Sequence, residues 1–450
     1  APVEVLTSPS GRTVVDFGQN LVGRVRITVS GPAGHTLVIR HAEVLQDGEL
    51  CVRPLRDALS TDRYTLRGDG PETWEPRFTL HGFRYAEITG WRGGGFPGRD
   101  IVARVYHTDM ARTGWFACSD DQVNRLHQNV VWSLRGNFVD LPTDCPQRDE
   151  RLGWTGDIQI FAPTAAFLYD CHGLLTSWLR DVAVEQHDDG TVPWYVPEIP
   201  GGEQWTPARP GAGWGDVVAL TPWDLYRASG DTGLLAAQYD SARGWVDLVT
   251  ELADASGLWN RGYQLGDWLD PFAPPEDPGA GRTDRHLIAT AYYAWSLRHV
   301  AWTAGVLGRH DERDRYGGLA DRVRRAFVDA YVLPGGRMTS DTQTAYAVAL
   351  QFDLLPDAEA RAVAGRRLAE LVTEGGHTIQ TGFIGTPLVA PALSATRHDD
   401  TAYALLLQHE CPSWLYALKH DATTVWERWD SMLPDGTVNP GEMTSFNHYA

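Results

Sequence analysis

Short runs in which apolar and polar residues alternate recur through residues 1 to about 110: Arg24-Val25-Arg26-Ile27-Thr28-Val29, Thr36-Leu37-Val38-Ile39-Arg40 and Arg84-Tyr85-Ala86-Glu87-Ile88, set between clusters of Gly, Pro and Asp. A period of two punctuated by turn residues predicts strands, and several of them in ~110 residues predict an antiparallel β-sandwich. From Ser119 the period changes. Val123, Leu126 and Val130-Val131 follow helical spacing behind Asp120-Asp121, with Ser119 the expected cap. Further helices are predicted over 157–169, 172–187, 216–229, 232–254, 285–307, 312–331, 341–353, 358–374 and 401–419. The change of period divides the chain into a β-sandwich domain over 1–111 and a helical domain over 112–450. An α-solenoid would repeat every ~34–47 residues, and no such repeat is visible. The expected architecture of the second part is therefore an α/α barrel, two rings of paired helices with loops lining a pocket.

Composition narrows the partners. A chain of 450 residues exceeds one hydrophobic core. With 39 basic and 58 acidic residues the net charge is −19, which repels phosphate backbones and anionic lipid, so neither nucleic acid nor membrane is expected as a partner. The five cysteines are scattered without a CxxC pair, which argues against a disulfide framework and a thiolate metal site. That usage, with no signal segment at the start, fits the cytoplasm better than secretion. The chain starts at Ala1 without Met and stops in the aromatic stretch SFNHYA, and so reads as a piece of a longer polypeptide. Sixteen of the 18 Trp lie in the helical part, several in two long loops: Trp194, Trp205 and Trp214 with Tyr195 in 188–215, and Trp259 and Trp268 with Asp267 and Asp270 in 257–284. Acidic and aromatic groups thus gather where helices are joined.

The densest chemistry is DCPQRDERLGWTGD at 144–157, with four carboxylates, two Arg and one Trp shaped by Pro146, Gly153 and Gly156. A solvated charged loop is the simple alternative. An acid that donates a proton near neutral pH needs like charges and an apolar wall; Asp144, Asp157 and Trp154 offer these to Glu150. Arg148 would oppose that shift if it faced Glu150, so it is expected on the substrate or another carboxylate. Glu427 stands between two Trp in TTVWERWD at 423–430 and suits a base acting on water; the alternative is an ion pair with Arg428. Glu442 and His448 are weaker candidates, a lone His being more often structural. With no HExxH, GxSxG or GxxxxGK[ST] in the sequence, no metal or cofactor is expected. Two separated carboxylates with aromatic platforms point to glycosidic bond hydrolysis.

The string at 144–157 resembles the signature of bacterial α-L-rhamnosidases, glycoside hydrolase family 78. TTVWERWDS at 423–431 and NPGEMTSFNHYA at 439–450 resemble two further segments of that family, in the same order. VDFGQNLVGRVRI at 15–27, HGFRYAEI at 81–88, GDWLDP at 266–271 and TGFIGTPLVAPALS at 381–394 are also similar, so the likeness covers nearly the whole chain. It implies a β-sandwich followed by an (α/α)6 barrel of six-hairpin glycosidase type, and an inverting exo-hydrolase that takes terminal α-L-rhamnose from rhamnosides without a cofactor. Position by position it implies Glu150 as general acid and Glu427 as general base. It further implies Asp144, Arg148, Trp154, Asp157 and His448 as sugar-binding residues and Trp268 as a pocket wall. Trp214 and Asp267 are added from their loop context. Family members usually carry further β domains, so the last barrel helices and a C-terminal β-sandwich are expected to be absent from this stretch of chain. Two other readings are a catalytically silent rhamnose-binding protein and another α/α-barrel glycosidase or phosphorylase.

Overall fold

The alternating runs become strands because each has one face to bury. In the computed structural model, which describes residues 1–92, 99–199, 209–274 and 276–450, they are β1 (Glu4–Thr7), β2 (Thr13–Val29), β3 (Thr36–Ala42), β4 (Val44–Gln46), β5 (Glu49–Cys51), β6 (Thr61–Thr65), β7 (Glu72–Trp74), β8 (His81–Thr89) and β9 (Ile101–Val105). β4 and β5 form a separate hairpin; the others form one antiparallel sheet in the order β1-β2-β8-β3-β6, with β7 and β9 also on β2. The long β2 bends at a bulge between Asp16 and Leu21, where its register against β8 shifts, and Gly18 takes a positive φ there. Val25, Ile27 and Val29 alternate inward to join Leu37, Ile39, Phe83, Ile88 and Ile101 in the sandwich core.

The first helix, α1 (Asp121–Asn137), is capped by Asp120 and not by Ser119. Asp120 is extended, and its carboxylate accepts from Gln122 N and Val123 N at 2.8 and 3.1 Å. A two-residue hairpin comes next, β10 (Phe138–Val139) with β11 (Leu141–Pro142). The remaining helices are α2 (Thr155–Leu168), α3 (His172–Glu185), α4 (Val217–Ser229), α5 (Thr232–Leu252), α6 (Arg285–Val306), α7 (His310–Tyr331), α8 (Gln343–Gln351), α9 (Ala358–Glu374), α10 (Thr386–Ala395) and α11 (Asp399–Leu406). Successive even-numbered helices α2, α4, α6, α8 and α10 pack side by side, and α4, α6, α8 and α10 each pair with the next helix in the chain. This is the alternation of an α/α barrel. The inner helix α8 is buried on all sides from Gln343 to Leu350. An outer helix such as α7 buries only the stripe Tyr316, Leu319, Ala320, Val323, Ala326, Phe327 and Tyr331.

Predicted and observed bounds agree within two residues from α2 to α9. The predicted helix over 401–419 does not form as such: α11 ends at Leu406, and α10 lies before it where none was expected. Two compact units result. Ala1–Asp109 with Phe116–Leu152 and Ala417–Tyr449 forms the first, and Met110–Trp115 with Gly153–Tyr416 and Ala450 the second. Among the described residues no helix is long and apolar enough to cross a membrane.

Candidate active site

In the first unit, the loop after β11 and the segment near the end of the chain place three carboxylates around one guanidinium. Arg148 is 1% exposed. Its NH1 donates to Glu427 Oε2 at 2.7 Å and its NH2 to Glu427 Oε1 at 3.1 Å, a two-pronged pair. The same NH2 lies 2.7 Å from Glu150 Oε2, Nε donates to that oxygen at 2.9 Å, and Asp144 Oδ2 is 3.5 Å away. A second guanidinium, Arg56 NH1, donates to Glu150 Oε2 at 2.9 Å. Arg148, expected on the substrate or another carboxylate and not on Glu150, does bind another carboxylate, Glu427, but it binds Glu150 as well, because a cation this deeply buried needs several anions to offset its desolvation.

The loop is shaped to present them. Asp144 N donates to Leu152 O and Leu152 N to Asp144 Oδ1, so a carboxylate closes the turn 144–152. Arg151 within it has a positive φ. Burial first, and the neighbouring Glu150 second, push the Asp144 carboxyl up to about 8, with Arg148 pulling against them. Burial would raise Glu427 too, yet Arg148, His448 and Arg56 outweigh it and hold Glu427 below the usual carboxylate range. Glu427 is tied by its backbone to Ser445, and His448 N donates to Val425 O at 2.9 Å. Glu442 is exposed, which sets it apart from Glu427, whose side chain is 6% exposed.

Three residues here have no role assigned from the sequence. Arg56 comes directly after a 3₁₀ turn (Arg53–Leu55), has a left-handed backbone conformation and reaches Glu150. Glu43, just after β3, senses Arg148 and Glu427 electrostatically. Cys145 is 3.0 Å from Asp144 Oδ2, its thiol pushed far up by burial. Nothing in composition or spacing marks Arg56 and Glu43, and only the pairing of distant segments does, whereas Cys145 stands inside the 144–157 string.

In the second unit, Trp154 and Asp157 begin α2. Trp154 is half-buried and meets Tyr195 edge to face at 5.2 Å; Asp157 sits in the first turn, where the helix end favours a negative charge. Trp214 is buried against Gly156, where a Cβ would approach its ring to 2.7 Å, and meets Phe383 edge to face at 5.0 Å. Among the described residues its buried Nε1–H has no acceptor, a donor that a ligand hydroxyl would satisfy. Trp268, half-buried, accepts from Phe383 N through its carbonyl. Trp205 lies outside the described residues.

Asp267 is engaged within the fold. Its carboxylate accepts from Gly382 N at 2.8 Å, Gly385 N at 3.1 Å and the Thr344 hydroxyl, fixing the loop that carries Phe383. Replacing it by Ala leaves three buried donors unpaired, and we expect a stability loss of about 3 kcal/mol. A denaturant midpoint unchanged from that of the unsubstituted chain would refute this anchoring role.

Among the described residues, two groups have donors close enough to share an ion: His41, Asp62 and His81, and Asp144, Cys145 and Glu150. Neither fits one well. The rings of His41 and His81 are stacked at 4.2 Å and 21°, so their nitrogens lie side by side instead of converging. Around Asp144 and Glu150 the cationic place is taken by the Arg148 guanidinium.

The family model for the bacterial alpha-L-rhamnosidase 6 hairpin glycosidase domain matches residues 111–450, and that for the bacterial alpha-L-rhamnosidase concanavalin-like domain matches 6–107. The chain is 44% identical to an alpha-L-rhamnosidase of Streptomyces avermitilis, over all of this chain and 42% of that protein. It is 39% identical to one of Formosa agariphila, over 97% of this chain and 46% of that protein. The crystal structure of the Aspergillus terreus α-L-rhamnosidase superposes with a TM-score of 0.96 at 45% identity, covering 100% of this chain and 52% of that one. The S. avermitilis α-L-rhamnosidase complexed with L-rhamnose superposes at 0.92 and 43% identity, covering 100% and 42%. The chain thus spans about half the length of the relatives it matches.

Proposed function

Because the chain belongs to the bacterial α-L-rhamnosidase family, glycoside hydrolase family 78, we propose that it removes terminal α-L-rhamnose from rhamnosides with inversion at the anomeric carbon. The observation that carries the mechanism is the single buried guanidinium of Arg148 holding Glu150 and Glu427. Glu427, kept ionised by Arg148 and His448, takes a proton from water as the water oxygen bonds to C1. Glu150 gives its proton to the glycosidic oxygen as the C1–O bond breaks. Glu150 Oε2 accepts from Arg148 and Arg56, which fix the carboxyl in place. One proton leaves water and one reaches the aglycone, and solvent exchange resets both carboxyls.

Inverting hydrolases keep their two carboxyl groups ~6.5–9.5 Å apart to admit the water. Here one Arg148 nitrogen touches both groups, so sugar entry draws Arg148 off one of them toward sugar hydroxyls. Asp144 and His448 are the other sugar contacts we assign in the first unit. Rhamnose lacks a hydroxyl at C6, and an apolar wall discriminates for it by ~1–3 kcal/mol at most.

Proton NMR of the first turnover tests inversion. The newly released sugar is expected as β-L-rhamnose before mutarotation; α-L-rhamnose as first product would replace inversion by double displacement. Release that depends on inorganic phosphate would instead mark a phosphorylase.

A further inference from the structure

Two buried polar side chains of the β domain take no part in the reaction as written, yet they hold the segments that carry Glu427 and His448. Asn20 sits in the bulge of β2 and Glu43 just after β3, each 3% exposed. Segments 423–427 and 444–448 run side by side through Glu427 N to Ser445 O at 3.1 Å and His448 N to Val425 O at 2.9 Å. The peptides on either side of Phe446 turn to the β domain. Phe446 N donates to Glu43 Oε2 at 3.2 Å, and Phe446 O accepts from Asn20 Nδ2 at 3.1 Å.

The pair also binds itself and the other segment. Asn20 Nδ2 is 2.9 Å from Glu43 Oε1 and 3.2 Å from Thr424 Oγ1; Asn20 N donates to Thr423 Oγ1 at 2.8 Å, and Gln19 Nε2 to Thr423 O at 2.7 Å. One amide and one carboxylate thus supply the donor and acceptor that a neighbouring strand would supply to Phe446. Apolar side chains would fill the same space without the desolvation cost; what they lack is register, since a slip of one residue would turn these side chains to the opposite face. That cost is visible in Glu43, whose carboxyl burial pushes up to about 7, with Asn20 and the Phe446 N–H pulling against it.

We propose that Asn20 and Glu43 are positioning residues of the rhamnoside-cleaving centre, setting 444–448 against 423–427 and so placing the Glu427 carboxylate and the His448 ring. This rests on Glu427 as the base. Misplacing a reacting group by ~1 Å costs on the order of 10²-fold. With 4-nitrophenyl α-L-rhamnoside, Asn20→Ala and Glu43→Ala are therefore expected to lower kcat by roughly 10- to 100-fold, with KM within about threefold. Because both act on Phe446, the double variant falls little below the weaker single one. In a Glu427→Ala background, Asn20→Ala leaves the residual rate nearly unchanged. A kcat within twofold of the unsubstituted chain overturns the proposal. So does an equal fractional loss in the Glu427→Ala background, or a loss that vanishes at low temperature where every variant is folded. Inactivity of the unsubstituted chain is a separate result, which removes the function and this inference together.

Discussion

With Glu150 replaced by Gln, cleavage of an alkyl α-L-rhamnoside is expected to fall about 10²–10⁴-fold, the usual worth of a positioned proton donor, while cleavage of the 4-nitrophenyl glycoside falls much less. The difference lies in the leaving group: an alkoxide cannot depart unprotonated, whereas nitrophenolate is stable and departs without the proton. Gln keeps the size of Glu150 and an oxygen able to accept from Arg148 and Arg56, which bond Oε2 in the native side chain, so the pocket's shape is retained and the missing proton is what the assay reads. Glu427→Ala is expected to lose equally on both substrates, since activating water does not depend on what leaves. The comparison thus separates acid from base. Equal losses for Glu150→Gln on both glycosides, or unimpaired turnover, would take the acid role away from it. Full activity in Glu427→Ala would transfer the base role to Glu442 or another group.

The fold was legible where burial keeps a period. Val25, Ile27 and Val29 alternate with half-buried Arg24, Arg26 and Thr28 because β2 has one inner face, and α7 shows its stripe for the same reason. It was illegible where a local rule is overridden. The α10 segment, TPLVAPALSA, contains Pro387 and Pro391 and so reads as loop. Pro387 falls in the first turn, where its missing N–H has no partner to lose, and burial of Val389, Ala392 and Leu393 sustains the rest. Over 401–419 the apolar spacing runs on past Leu406, but Pro412 breaks the helical pattern beyond it. The site was legible as a set of residue types and not as a set of partners. Asp144, Arg148 and Glu150 were visible together because they are close in sequence. That Arg148 would bind a carboxylate 279 positions away, or that Asn20, Glu43 and Arg56 of the β domain would serve the same segments, is decided by packing that leaves no periodic trace.

Arg148 carries the largest expected effect on stability. Arg148→Leu removes the shared cation from Asp144, Glu150 and Glu427 while leaving those groups buried. Removing one partner of a buried ion pair costs about 3–5 kcal/mol, because the surviving charge keeps its desolvation penalty. The pH dependence has a definite sign. In the native protein Glu427 is held low, mainly against burial by Arg148, so its contribution is present above the unfolded carboxylate pKa and is lost as pH falls through the lower folded value. Without Arg148, only His448 and Arg56 still oppose burial, and the Glu427 pKa rises. The folded state then binds more protons than the unfolded one, and stability falls as pH rises. Asp144 already behaves this way, raised to about 8 with Arg148 as the opposing influence, and the substitution pushes it further. The gap between Arg148→Leu and the unsubstituted chain is therefore expected to be widest near pH 8 and to narrow toward pH 5, where the carboxyls take up protons. Arg148→Lys restores charge but not the two-pronged contact with Glu427, and should recover stability more than activity. Thermal unfolding of the three proteins at pH 5 and pH 8 decides the matter. A gap that stays constant with pH would mean that Arg148 stabilises by packing alone, and that the carboxylates around it are solvated well enough to need no common cation.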